Sequence, residues 1–185
     1  MTGAFSADVH RCADKYRPRK SLALLLADNY GLQALLAYRL GRLLLRARRS
    51  YWSWPLLPAG WMLYYLLSRY VRLLFDIRLE LSADIGPGFY IGHFGAIRMR
   101  RCRLGANCSI GRLTDIAARG DGPGPVIGDG VWIGAHVQIV GNYRIGSGAT
   151  VGAGTVVRSD IPEAALYLGN PARVVICTYD NRRIL

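Results

Sequence analysis

The chain has 185 residues, of which 51% are hydrophobic, and 24 Lys+Arg against 12 Asp+Glu give a formal net charge of +12. That much apolar material supports one sizeable core plus an appendage and excludes a disordered chain. All the basic residues except Lys15 and Lys20 are arginines, so the surplus suits polyanions, anionic membranes or phosphorylated cofactors without choosing among them. The four cysteines, Cys12, Cys102, Cys108 and Cys177, form no CxxC pair and match no zinc spacing, which predicts free thiols in a reducing compartment.

In chain order, residues 1–20 are polar and charged. They predict a frayed or extended start and not a secretory signal. Residues 21–49 are leucine-rich, with Arg39, Arg42, Arg46 and Arg49 at near-helical spacing, an amphipathic helix broken near Asn29–Gly31. Residues 51–68 carry no charge and are just long enough to consider as a membrane span. Pro55, Pro58 and Gly60 delay a continuous helix to about Ala59, and the tryptophans, tyrosines and flanking arginines suit a membrane interface better. The other reading is a helical hairpin packed on the rest of the protein or on a neighbouring subunit. Residues 69–79 resume an arginine-bearing helical pattern, so residues 1–78 form an α-helical N-terminal region.

From residue 79 the chain repeats every six positions. Aliphatic residues recur, usually followed by glycine: Ile85-Gly86, Ile91-Gly92, Ile97; Leu104-Gly105, Ile110-Gly111, Ile116-Ala117; Ile127-Gly128, Ile133-Gly134, Ile139; Ile145-Gly146, Val151-Gly152, Val157. A helix needs a period of 3.6 and a simple strand a period of two. Hexads in sets of three describe triangular coils of three short strands, a mainly β chain forming a parallel β-helix of about four to five coils. The aliphatic points inward, and the small fourth residue (Gly95, Cys108, Thr114, Val137, Ala149, Thr155) suits a tight corner. One residue is inserted between Ile97 and Leu104. Between Ile116 and Ile127 the stretch AARGDGPGPV breaks the repeat, and its glycines and prolines predict an outward loop. The β-helix domain therefore spans 79–164. Residues 165–185 form a cap and tail, with Ala165–Val175 turning at Gly169-Asn170-Pro171 to cover the last coil.

The segments IGPGFYIGHFGAI (85–97), VIGDGVWIGAHVQIVG (126–141), VGAGTVV (151–157) and GNPARVV (169–175) resemble the hexapeptide-repeat acyltransferases. Within them they are most similar to the serine acetyltransferase branch and its relatives in surface-polysaccharide synthesis. The resemblance implies left-handed coils, an exception to the usual right-handed crossover. It implies a homotrimer with acetyl-coenzyme A (acetyl-CoA) held in clefts between subunits. It makes His93 the catalytic base: an imidazole titrates near neutral pH and can take a proton from an attacking hydroxyl. Asp76, Glu80 and Asp84 are candidates to orient its ring. Gly134, Ala135, Gly152 and Ala153, with Gly154, would leave a flat channel for the pantetheine arm of the co-substrate. Arg158 and Arg173 would meet its phosphates. No metal is expected: His136 lies two coils beyond His93, about 10 Å away at the usual strand spacing. A γ-type carbonic anhydrase, which shares the fold, needs three histidines around zinc.

Three positions depart from the serine enzymes. An Asp that precedes their catalytic His and helps hold serine is Gly92 here. Their second His, before a proline in the extruded loop, is Gly124, before Pro125. An acidic residue upstream corresponds, counted without gaps, to Arg78. The base is kept and the amino-acid recognition group is not. This favours a sugar or glycolipid hydroxyl in polysaccharide synthesis as acceptor, with serine as the alternative and an inactive β-helix scaffold as a rival of another class. Peripheral contact of the N-terminal region would place the protein in the cytoplasm at the inner face of the membrane. No nucleic-acid recognition motif appears.

Overall fold

The structure is a computed structural model and describes residues 2–15, 22–48, 57–92, 95–182 and 184. Four helices come first: α1 (Thr2–Lys15), α2 (Leu22–Asp28), α3 (Tyr30–Ala47) and α4 (Leu57–Phe75). The break between α2 and α3 falls where expected, because Asn29 leaves the helical conformation and its side chain accepts from the Leu32 amide at 2.9 Å, an N-cap. α4 begins two residues before Ala59, since proline is tolerated in a first turn. Residues 51–56 of the uncharged run lie outside the described residues. Among the described residues no helix is long and apolar enough to cross a membrane.

The start of the chain corrects the sequence expectation. Residues 2–15 are helical, neither frayed nor extended, and Asp8 and Cys12 are buried. The inward side of α1 carries Asp8, Arg11 and Cys12 where a leucine stripe would normally be, so hydrophobic periodicity could not reveal it. The helical region also ends earlier than expected. Asp76 takes a left-handed conformation (φ 49°) after α4, and the chain enters a strand at Ile77.

That strand opens the first of five coils. These are β1 (Ile77–Leu79), β2 (Asp84–Ile85), β3 (Tyr90–Ile91); β4 (Ile97–Arg100), β5 (Arg103–Leu104), β6 (Ser109–Ile110); β7 (Asp115–Ala117), β8 (Val126–Ile127), β9 (Trp132–Ile133); β10 (Gln138–Val140), β11 (Arg144–Ile145), β12 (Thr150–Val151); and β13 (Val156–Val157), a single bridge at Ile161, and β14 (Leu166–Leu168). Strands stack in parallel into three faces, ordered β1-β4-β7-β10-β13, β2-β5-β8-β11 and β3-β6-β9-β12-β14. The arrangement is a left-handed parallel β-helix. Ile97, Ile116, Ile133 and Ile139 fill the prism with no exposed surface. The small fourth residues Cys108, Thr114, Val137, Ala149 and Thr155 are equally buried, inside the corners. In the outward loop, Arg119–Pro123 are exposed and Arg101 pairs with Asp121 at 2.9 Å.

The glycines after the inward aliphatics serve the stacking of coils. A Cβ on Gly134 would lie 2.7 Å from the Ala153 nitrogen and 2.9 Å from the Gly152 carbonyl carbon, both backbone atoms of the next coil.

Both ends of the stack are covered. The first coil has no coil beneath it, so its edge carbonyls need donors. Arg39 donates to the carbonyls of Ile85 (2.7 Å) and Gly86 (2.6 Å), Arg42 to that of Leu81 (3.2 Å), and Arg11 to that of Gly88. The Tyr38 hydroxyl donates to the Ala83 carbonyl at 2.8 Å and accepts from the Ile85 amide at 3.2 Å. Gly31 lets α3 approach this coil, since a Cβ there would meet the Ile91 carbonyl oxygen at 2.9 Å. At the other end β15 (Arg173–Ile176) turns back antiparallel on β14. Buried Asn181 donates to the carbonyls of Gly130 (2.9 Å) and Ala149 (3.2 Å).

Candidate active site

His93 and Phe94 lie outside the described residues. The frame on either side of them is described, and it is held from both directions. Gly92 donates to the Ile110 carbonyl (3.0 Å), and its own carbonyl accepts from the Tyr30 hydroxyl (3.3 Å). Gly95 donates to the Phe75 carbonyl (3.1 Å), and Ile97 to that of Asp76 (3.1 Å). The Tyr30 and Phe75 rings meet at 5.7 Å. The first residue of α3 and the last of α4 thus fix the two ends of the His93 segment, a role for the helical region that the hexad pattern does not contain.

The candidate carboxylates differ in engagement. Asp84 pairs with Arg42 at 2.7 Å and Glu80 accepts from the Ser82 hydroxyl at 3.0 Å. Asp76 pairs with Arg78 at 3.2 Å, and of the three it alone touches the His93 frame, through its backbone. His136 is exposed at a corner, with φ 60°. Among the described residues no group of His, Cys, Asp or Glu could hold a metal ion. Burial pushes the Cys102 thiol up to about 12 and the Cys108 thiol up to about 11, so both stay protonated at neutral pH and neither is an activated nucleophile.

The expected channel residues separate into two kinds. Gly134 and Gly152 are buried, and an added Cβ would meet the next layer, the Ala153 backbone for Gly134 and the Leu168 side chain for Gly152. Ala135 is half-buried, whereas Ala153 and Gly154 are exposed, with open space beside Gly154. Register places Ile91, Ile110, Ile133 and Val151 in one row. Arg112, Ala135 and Ala153 therefore occupy, in the next three coils, the sequence position that His93 has in the first. A groove of about 400 Å³ lies on the adjoining face, lined by Arg119, Gln138, Val140, Tyr143, Val156, Val157 and Arg158. Arg158 thus has a concave site and a second guanidinium, Arg119, which sequence reasoning missed. Arg173 is exposed on β15 and does not line this groove.

A second depression of about 460 Å³ sits between α3, α4 and the start of the same face. Its polar lining includes Arg72, Arg78, Arg98, Arg100, Glu80 and Ser68. No single sequence segment signals it, because its arginines come from three separate elements.

Comparison with known proteins gives a consistent picture. Residues 124–159 match the family model for the bacterial transferase hexapeptide (six repeats). The chain is 30% identical over 157 residues to the serine acetyltransferase of Synechococcus elongatus, covering 80% of this chain and 62% of that one. The soybean serine acetyltransferase solved with serine is 32% identical, with a TM-score of 0.74 over 93% of this chain and 68% of that chain. A serine acetyltransferase solved with CoA is 25% identical, with a TM-score of 0.73 and coverage of 93% and 68%. The matched span includes the N-terminal helices.

Proposed function

The chain belongs to the hexapeptide-repeat acyltransferases, in their serine acetyltransferase-like branch, and from that premise we propose that it transfers an acetyl group from acetyl-CoA to a hydroxyl acceptor, with His93 as general base. The observation that carries this reading is that Gly92 and Gly95, on either side of His93, are held by Tyr30 and Phe75, and that Ala135 and Ala153 follow the same row of strands at the sequence position of His93. Such anchoring is what a positioned base requires. His93 takes the acceptor proton as the oxygen attacks the thioester carbonyl. The C–O bond forms, the C–S bond breaks, and the same imidazole returns the proton to the departing thiolate. The CoA-bound relative supports acetyl-CoA as co-substrate, with its arm passing Ala135 and Ala153 and its phosphates near Arg158 and Arg119.

Serine is the ligand of the soybean relative, and of the two acceptors expected from the sequence it is the better supported. A sugar hydroxyl is the second reading. It is favoured by Gly92, which stands where the resemblance implies an Asp that helps hold serine, and by Gly124, which stands where it implies a second His. We include a trimer in the proposal, because the groove beside Arg158 is open and needs a second wall; light scattering of the purified chain checks it. We also place the protein at the inner face of the membrane through α4. The deciding experiment is thiol release from acetyl-CoA with L-serine and a panel of sugars as acceptors. Turnover with serine selects the first reading and turnover with sugars the second. No acceptor-dependent release sinks the enzymatic reading in favour of a scaffold.

A further inference from the structure

We propose that the depression between α3, α4 and the first two strands of the β1 face binds phosphate carried by the acceptor. The inference rests on acetyl transfer at His93 in its second reading, with a sugar hydroxyl as acceptor, and specifies what that acceptor bears. Four guanidiniums line the cleft: Arg72 from α4, Arg78 from β1, and Arg98 and Arg100 from β4. Register sets Arg78 directly opposite Arg98 on adjacent strands. Like charges so placed repel, and a sheet keeps them at a cost unless an anion lies between.

The carboxylates nearby offset this charge only in part: Asp76 pairs with Arg78, while Glu80, which also lines the cleft, and Asp115, which adjoins Arg98 in the register, form no ion pair with Arg72, Arg98 or Arg100. Arg72, Arg98 and Arg100 have no ion-pair partner among the described residues. The hydroxyl-bearing residues Tyr64, Ser68 and Ser82 also line it, beside apolar side chains such as Val71 and Leu81. Several bidentate donors with neutral hydroxyls between them match the three oxygens of a phosphate better than a single carboxylate.

The cleft adjoins the frame of the base: Arg98 lies three residues beyond Gly95, and Ile77, which lines the cleft, follows Asp76, whose carbonyl accepts from the Ile97 amide. The phosphates of CoA have another place, since the groove with Arg119 and Arg158 reaches β13, three strand steps or about 14 Å from β4.

The test is calorimetric titration of the full chain with inorganic pyrophosphate. We expect saturable binding that weakens at least 10-fold in Arg98→Ala/Arg100→Ala and is partly recovered in Arg98→Lys/Arg100→Lys. Arg158→Ala, which alters the co-substrate groove, should leave in place the part of the binding that the Arg98→Ala/Arg100→Ala pair removes. In the thiol-release assay the alanine pair should raise KM for a sugar phosphate at least 10-fold and leave KM for acetyl-CoA unaltered. Absence of pyrophosphate binding to the wild type, binding undiminished in a folded alanine pair, or displacement by equimolar L-serine would each overturn the proposal. Arginine-dependent pyrophosphate binding in a chain that acetylates nothing would refute the catalytic reading and leave the phosphate site standing.

Discussion

Arg39 and Asp8 meet at 3.1 Å, with the carboxylate fully buried, and the same guanidinium reaches the carbonyls of Ile85 and Gly86. One side chain thus ties α1 to the edge of the first coil. Asp8 also accepts from the Phe89 amide at 2.9 Å. Burial raises its pKa, while Arg39 and the backbone donors pull it back.

Replacing Arg39 by alanine leaves a buried carboxylate without its cation and two edge carbonyls without donors. Breaking such a pair costs about 3–5 kcal/mol. Urea unfolding of Arg39→Ala should show a loss of this size, and a loss below 1 kcal/mol would mean that water replaces the guanidinium.

His93→Ala should lower turnover by roughly 10²–10⁴-fold, as expected on removing a general base. CoA affinity, read by calorimetry, should hold. A variant with near wild-type turnover removes His93 from the mechanism.

Gly134→Ala should destabilise the fold by about 1–3 kcal/mol, the usual cost of overpacking. Its new methyl group faces backbone, which cannot swing aside as a flexible side chain can. Thermal unfolding of the variant is the measurement, and an unchanged midpoint would show that the coils separate easily.

Stability should fall as pH rises above about 9. An unfolded thiol ionises from its ordinary value of 9.0, whereas Cys102 and Cys108 keep their protons to about 12 and about 11. The native state then binds more protons than the unfolded one, so each thiol lowers stability by up to about 1.4 kcal/mol per pH unit between 9 and 11. Tyr38, buried and also raised, adds in the same direction above its ordinary value of 10.0. Urea midpoints at pH 8, 9 and 10 should decline, and Cys102→Ala/Cys108→Ala should decline less steeply.

α4 buries only Val71 fully, and Met62 (66% exposed), Leu66 (60%) and Leu73 (72%) lie open along it. The hairpin with α3 does not account for that face. The chain should float with vesicles rich in anionic lipid, and Leu66→Glu/Leu73→Glu should return it to the unbound fraction. Wild type that stays unbound at low salt rules the contact out.

The coils were legible because each inward position is one aliphatic residue repeated a dozen times. α1 was not, since its inward residues make polar contacts: Asp8 and Arg11 meet the first coils, and Cys12 accepts from Asn29. Arg39 and Arg42 looked like an exposed helical stripe, although they turn inward to edge carbonyls that no local pattern announces. The Gly92-His93 motif was visible, but its support by Tyr30 and Phe75 joins residues 45 apart in the chain. The glycines at 134 and 152 were visible as well and read as a channel, because sequence cannot tell an open side of a coil from the side pressed against the next one.

Because both ends of the stack are closed, the number of coils is a fixed length standard. The His93 corner belongs to the first coil and Arg158 follows the first strand of the fifth. Each coil adds one strand spacing of about 4.8 Å. Inserting one complete coil between them would shift the proposed phosphate end of the co-substrate by that amount while leaving the chemistry of each corner unchanged. The coil count therefore gauges the reach of the molecule that must extend from one to the other.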